Sequence, residues 1–247
     1  MELWLEDTAK DFWRNAGLAD LFPRDMERAI INAVPAAVLY LPRLWTSTID
    51  HWLADRQLTV RLAAQKQRLR GCMLAYRGRG LIFVDGTDPE PERRFTLAHE
   101  MAHFLVDYLR PRHRAFVKLG GSSVEVLDGL RTPLVTEQID AGLVDVDLDV
   151  HTHLMPRASS GAHSGPVIVA ENRADLLALE LLAPASAVRN RLPRAVFRRD
   201  YESKCQVVTR SLSSHFGLPK PVAVEYGAFL SRRWFGGPSV REWLGIA

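Results

Sequence analysis

The chain has 247 residues, 47% of them hydrophobic and 25% charged, which is the composition of one large or two small globular domains with ample core and excludes disorder or a coiled coil as the main state. Its formal net charge is only +3, so any interaction with nucleic acid must rest on where the charge lies rather than on its total. Two cysteines, Cys72 and Cys205, are too few for a disulfide framework or a cysteine-based zinc module.

The longest apolar stretch, Ala33 to Leu41, is interrupted by Pro35 and closed by Pro42. It falls well short of the roughly 18 uninterrupted residues of a membrane span, so no transmembrane helix is expected. Glu2, Glu6 and Asp7 stand where a signal peptide needs a basic start and a continuous apolar run, and a cytoplasmic protein is expected. Charge is unevenly spread. Between Leu119 and Pro156 seven acids face a single base, Arg131, whereas from Ala185 to Ala247 eleven bases outnumber four acids.

Residues 1 to about 66 read as helical, with apolar positions at Leu3, Leu5, Phe12, Trp13 and Leu18 and later at Trp45, Trp52 and Leu53. Cys72 to Tyr76, the turn Arg77-Gly78-Arg79-Gly80, and Leu81 to Val84 have the composition of a β-hairpin ended by Asp85-Gly86. A helix should follow directly, with Asp88 as N-cap, Pro89 and Glu90 in its first turn, and Pro111 stopping it after Tyr108. From Arg110 to about Val167 the pattern weakens through Gly120-Gly121, the acidic run and the segment Ala158 to Pro166, which reads as an insertion with a mobile end. A second strong helix runs from Glu171 to Leu182 and stops at Pro184. The remainder, from about Ala187, reads as a small helical unit containing Leu212 to Leu230. No internal repeat is visible.

The first of these helices carries His99-Glu100-Met101-Ala102-His103. Residues i and i+4 share a helical face, so the two imidazoles can meet one metal ion. Neutral histidine nitrogens suit Zn²⁺, and a third protein ligand with one position left open would make the site catalytic, with Glu100 receiving a proton from water. The bland alternative is a chance pentapeptide on a structural helix. A strand leading into a capped helix favours the metal reading, because a substrate could lie along the strand edge with its carbonyl at the metal.

Several acids and spare histidines compete for the third ligand position. A metzincin would need Gly at 106 and His at 109, and Val106 and Leu109 exclude that subclass. Glu171 and Asp175 lie four apart on one face of the second helix, so Glu171 can ligate while Asp175 orients a ligand histidine through its second nitrogen. Glu180, nine residues beyond Glu171, points to the opposite side and is expected to face solvent. Asp107 could be a fourth ligand, although a solvated face or a cap is the plainer expectation. His151, His153 and His163 fall in the insertion, where a lone histidine is more often a surface group, and one of them could still assist the reaction.

Arg94 to Leu105, followed by the pattern of Glu171, Ala174, Asp175, Ala178, Leu181, Leu182 and Pro184, strongly resembles the ImmA/IrrE family of metallopeptidases. The resemblance spans roughly Gly71 to Pro184 plus the helical unit after it. It implies an α+β fold with a zincin-like core, a small sheet plus the HExxH helix, and mainly helical N- and C-terminal parts. It further implies His99, His103 and Glu171 as zinc ligands, Glu100 as catalytic acid and base, and Asp175 behind a ligand. The expected organisation is a helical region 1–66, a catalytic domain 67–185 with its insertion at about 110–167, and a helical region 186–247.

Members of this family cleave a partner helix-turn-helix repressor as a regulatory or stress-response switch, and that is the function the resemblance implies. Two departures stand out: Leu177 replaces an aromatic residue of the second motif, and Glu171 comes 68 residues after His103, farther than in compact members. Leu212 to Leu230 looks like a helix-turn-helix of the kind members often carry. Yet the sequence after Pro219, Lys220 to Phe229, supplies almost no Arg, Asn or Gln for base edges, so DNA binding is weakly supported. The competing expectation is a non-catalytic regulator that binds a repressor or DNA and uses the zinc helices only as scaffold.

Overall fold

A computed structural model describes residues 3–58, 60, 62, 66–128, 130–144, 151–157 and 165–237. The chain is a mixed α+β protein. In order it forms α1 (Leu3–Ala16), α2 (Met26–Ala33), β1 (Ala36–Leu41), α3 (Thr46–Ala54), β2 (Leu69–Tyr76), β3 (Arg79–Asp85) and α4 (Glu90–His103). A π-helical segment, Phe104–Leu109, continues α4 into α5 (Arg110–Leu119) and α6 (Gly121–Leu127). Then come α7 (Val135–Val144), β4 (His151–Pro156), α8 (Gly165–Leu182), α9 (Ala185–Arg191), a 3₁₀ turn Arg194–Arg198, α10 (Tyr201–Ser214) and α11 (Lys220–Phe235). Among the described residues no helix is long and apolar enough to cross a membrane.

The four strands form one sheet in the order β1-β3-β2-β4, with β1 parallel to β3 and the other pairs antiparallel. The expected hairpin is β2–β3. The strand β1 departs from the helical reading of the first 66 residues: Val38, Leu39 and Tyr40 are good strand formers held between Pro35 and Pro42, and their hydrogen bonds come from β3, some 44 residues downstream.

Strand alternation sorts the side chains onto two faces. Met73, Ala75, Ile82 and Val84 join the main core with α4 and α8, while Cys72, Leu74 and Phe83 join a smaller one with Ile49 and Leu53 of α3. The same main core includes Val208, Leu212, Phe216, Tyr226 and Leu230, so the C-terminal helices pack against the body that carries α4. Tyr226 also donates to the carbonyl of Ala183 at 3.3 Å.

Helix boundaries differ from expectation. Pro89, not Asp88, occupies the N-cap of α4, and the Asp88 carboxylate instead accepts from Arg157 at 2.5 Å. Pro111 does not stop the helix: the π-helical turn precedes it, and α5 continues with the proline in its first turn. The helix expected from Glu171 starts earlier, at Gly165. Of the segment expected as an insertion with a mobile end, the described residues carry α5, α6, α7, β4 and the start of α8, whereas residues 129, 145–150 and 158–164, which include most of the expected mobile end, lie outside the described set.

Glu180 corrects the solvent-facing expectation. It does lie opposite Glu171, but that side of α8 packs on α1 and its residue is only 4% exposed. Burial raises its pKa, and the backbone N–H of Ala185 donates to it at 3.3 Å.

The end of β4 is tied to the sheet by Asp85. Its buried carboxylate accepts from Arg157 Nη2 at 2.7 Å, Arg68 Nη2 at 3.4 Å, Thr87 Oγ1 at 2.5 Å and the backbone N–H groups of Arg43 and Thr87. Burial alone would raise its pKa, yet these donors outweigh it and hold the group below the ordinary carboxylate range. The folded pKa being depressed, the contribution is present above the ordinary value of 3.8 and is lost as acid lowers the pH through the folded value. We expect Asp85→Ala to destabilise the protein at neutral pH by about 3 kcal/mol, because two arginines lose a buried partner. Urea unfolding checks this, and a loss under 1 kcal/mol would mean that the cluster is merely tolerated.

Candidate metal centre

Helix α4 lies beneath the sheet with every residue from Thr96 to His103 buried. His99 and His103, one turn apart, bring their Nε2 atoms to 3.2 Å. Helix α8 packs against α4 and delivers Glu171, whose Oε2 lies 3.4 Å from His99 Nε2 and whose Oε1 lies 3.7 Å from His103 Nε2. Four ligands on a tetrahedral ion at ~2.0–2.1 Å stand about 3.3–3.4 Å from one another, and the two imidazole nitrogens and the carboxylate of Glu171 approach that spacing closely enough to surround one ion. With His153 of β4 included, the candidate ligand atoms all lie within 4.8 Å of one another, and the group can hold a metal ion.

The outward nitrogens are held by carboxylates. His99 Nδ1 lies 2.8 Å from Asp175 Oδ1, and His103 Nδ1 lies 2.6 Å from Asp107 Oδ2. A carboxylate accepts only, so each Nδ1 carries the proton and each Nε2 is turned inward, the tautomer a metal needs. Burial would lower the pKa of His99, but its bonds to Asp175 and Glu171 and the charge of Glu100 raise it to about 9. For His103 burial prevails, and despite Asp107 its pKa falls. Glu171 would be raised by burial, yet the hydrogen bonds from His153 and His99 push it far below the ordinary carboxylate range.

Glu100 points to the sheet and is wholly buried. The reason is Gly71 on β2, directly above: a β-carbon there would lie 2.7 Å from Glu100 Oε1 and 2.6 Å from Thr96 Cγ2. The missing side chain is therefore the notch that receives the carboxylate. Glu100 Oε2 lies 2.9 Å from His153 Nδ1, and Oε1 has no hydrogen-bond partner among the described residues.

Of the residues expected from sequence, His99, His103 and Glu171 converge, Asp175 stands behind His99, and Glu100 lies beside them. Leu177 is fully buried in the core rather than near the site. Two neighbours differ from expectation. Asp107 neither caps nor faces water but holds His103, and His153 lies in the cluster rather than on the surface. The alternation His151, His153, Met155 before Pro156 was the available signal for a strand, but only pairing with β2 shows that His153, opposite Met73, faces α4. His163 lies outside the described residues.

Residues 58–125 match the peptidase M78 family model, the IrrE N-terminal-like domain. This match supports membership of the ImmA/IrrE family. No curated protein matches the chain. The ImmA/IrrE match takes in β2, β3 and the HExxH helix and points to a metal-dependent peptidase, a hydrolase. Glu171, Asp175 and His153 fall beyond the matched segment, so their place at the centre rests on the geometry alone.

The notch gives a first test. Gly71→Ala must displace Glu100 or the strand, and should destabilise the fold by about 1–3 kcal/mol while leaving metal stoichiometry at the wild-type level. Thermal melts with metal analysis measure both. An unchanged melting temperature would show that Glu100 does not need the space.

Proposed function

We propose that this chain is a zinc-dependent endopeptidase with a zincin-like core, using His99, His103 and Glu171 to hold Zn²⁺ and Glu100 as acid and base. The observation that carries this reading is the set of three ligand-atom separations, 3.2, 3.4 and 3.7 Å, beside a buried carboxylate that belongs to none of them. Two histidines and one glutamate leave a fourth position open, the donor set of catalytic rather than structural zinc. Zn²⁺ held there would polarise a peptide carbonyl and acidify water.

The chain's own residues do the rest. Glu100 takes the proton from the attacking water and returns it to the leaving amine, a role suited to a carboxylate shielded from bulk solvent. Asp175 and Asp107 keep both histidines in the ligating tautomer. Among the described residues β4 pairs only with β2, so its outer edge is available to an extended peptide, which would run beside the site by adding a strand.

The substrate we propose is a partner helix-turn-helix repressor, cut as a regulatory or stress-response switch in the cytoplasm. Within that scheme residues 67–185 form the catalytic part, flanked by helical regions 1–66 and 186–247. Binding of DNA by α10 and α11 gains little support: α11 buries Ala223, Tyr226 and Leu230 and exposes Val224 and Phe229, which read no base edges.

Metal analysis should find about one zinc per chain, lost in Glu171→Ala. Glu100→Gln should keep the zinc and lower cleavage of a mixed library of internally quenched peptides by a factor of about 10²–10⁴. A Glu100→Gln protein that cuts at the wild-type rate would refute the mechanism and leave the helices as a scaffold for a binding protein.

A further inference from the structure

His153 is the residue that neither the family match nor the HExxH pattern accounts for. Its ring is mostly buried, with 12% of the side chain exposed, and both nitrogens are engaged: Nδ1 lies 2.9 Å from Glu100 Oε2 and Nε2 2.8 Å from Glu171 Oε1. Among the described residues this is the only hydrogen bond that the Glu100 carboxylate makes, since Oε1 is without one.

A fourth metal ligand is the obvious alternative, and ring geometry disfavours it. Two imidazoles bound through Nε2 to one tetrahedral ion keep their centroids roughly 5 Å apart. His99 and His103 meet that at 4.8 Å, as do His99 and His153 at 5.4 Å. His103 and His153 are instead stacked, with centroids 3.6 Å apart and planes 18° from parallel. His153 lies over a ligand rather than alongside it.

We propose that His153 is a positioning residue for Glu100: from edge strand β4 it donates through Nδ1 to the base and fixes its carboxylate relative to the substrate that docks on the same strand. This rests on the peptidase reading above. The Gly71 notch makes room for the carboxylate beside Oε1, and the imidazole bonded to Oε2 fixes its rotation about the Cγ–Cδ bond, which turns both oxygens together. Placing the partner on β4 has a consequence. A peptide that adds to the β4 edge and the hydrogen bond that orients the base then share one backbone, so docking and base alignment are mechanically joined.

The test separates the two nitrogens of the ring. In the full-length zinc-loaded protein, the amide of His153→Asn can place a donor where Nδ1 stands, and that of His153→Gln where Nε2 stands. With the library peptide that wild type cuts fastest, His153→Ala should lower kcat about 30-fold or more while KM moves less than about threefold. His153→Asn should recover most of kcat, and His153→Gln should not. The visible spectrum of the Co²⁺-substituted protein should match wild type in all three variants, with one metal ion retained per chain.

Other results overturn the proposal in distinguishable ways. An altered Co²⁺ spectrum in His153→Ala would make His153 a ligand. Recovery by Gln rather than Asn would move its role to Glu171, and unchanged kcat in His153→Ala would make it a bystander. Zinc-loaded wild type that cuts no peptide would overturn the peptidase reading and, with it, this one.

Discussion

The bond between His99 and Asp175 joins α4 to α8 across 76 residues of chain, and the centre forms only because those helices meet. An i, i+4 pair of histidines guarantees no more than two nitrogens on one face. The third donor must come from a separate helix at the right height, and α8 sets that height with buried Ala174, Leu177, Ala178 and Leu181 packed in the core it shares with α4. Ala174 and Ala178 are small, which allows close approach, and their spacing of four leaves Glu171 and Asp175 on the flank that faces the histidines. Packing brings the helices together, and the carboxylate–histidine bond then fixes their rotation.

Concentrating Glu100, Glu171, Asp107 and Asp175 around three histidines has an electrostatic logic. The carboxylates would repel one another, most at the wholly buried Glu100, and the imidazoles between them relieve this, His99 and His103 through Nδ1 to Asp175 and Asp107 and His153 toward Glu100 and Glu171. The cluster pushes His153 up to about 10 and His99 to about 9 against the effect of burial. A divalent cation supplies the same compensation with neutral histidines, so metal binding should release protons. The site is therefore built around positive charge at its centre.

Legibility in the sequence followed the range of the interactions. The hairpin β2–β3, the HExxH helix and the shared face of Glu171 and Asp175 are consequences of local periodicity, and each was readable from a dozen residues. The strand β1 was not, since Ala36 to Leu41 becomes a strand only by pairing with β3. His153 was hidden for the same reason: its orientation is set by register against Met73, eighty residues earlier in the chain. Glu180 failed differently. Helical geometry placed it correctly opposite Glu171, but amphipathic logic assumes one wet face, and α8 is covered on both.

A metal held only for structure would ordinarily be closed by a fourth protein ligand, and it would gain nothing from Glu100. Burying an additional carboxylate within this cluster is costly unless it is compensated, and the fold goes further by leaving out a side chain at Gly71 to admit it. Replacing Glu100 with an apolar residue and Gly71 with alanine would fill the same space at lower electrostatic cost, as interior packing ordinarily does. A notch, a carboxylate in it and a histidine on the edge strand beside it do little for stability, and the proposed chemistry gives all three a use. The scaffold reading explains the ligands, whereas the peptidase reading explains the ligands and the notch together.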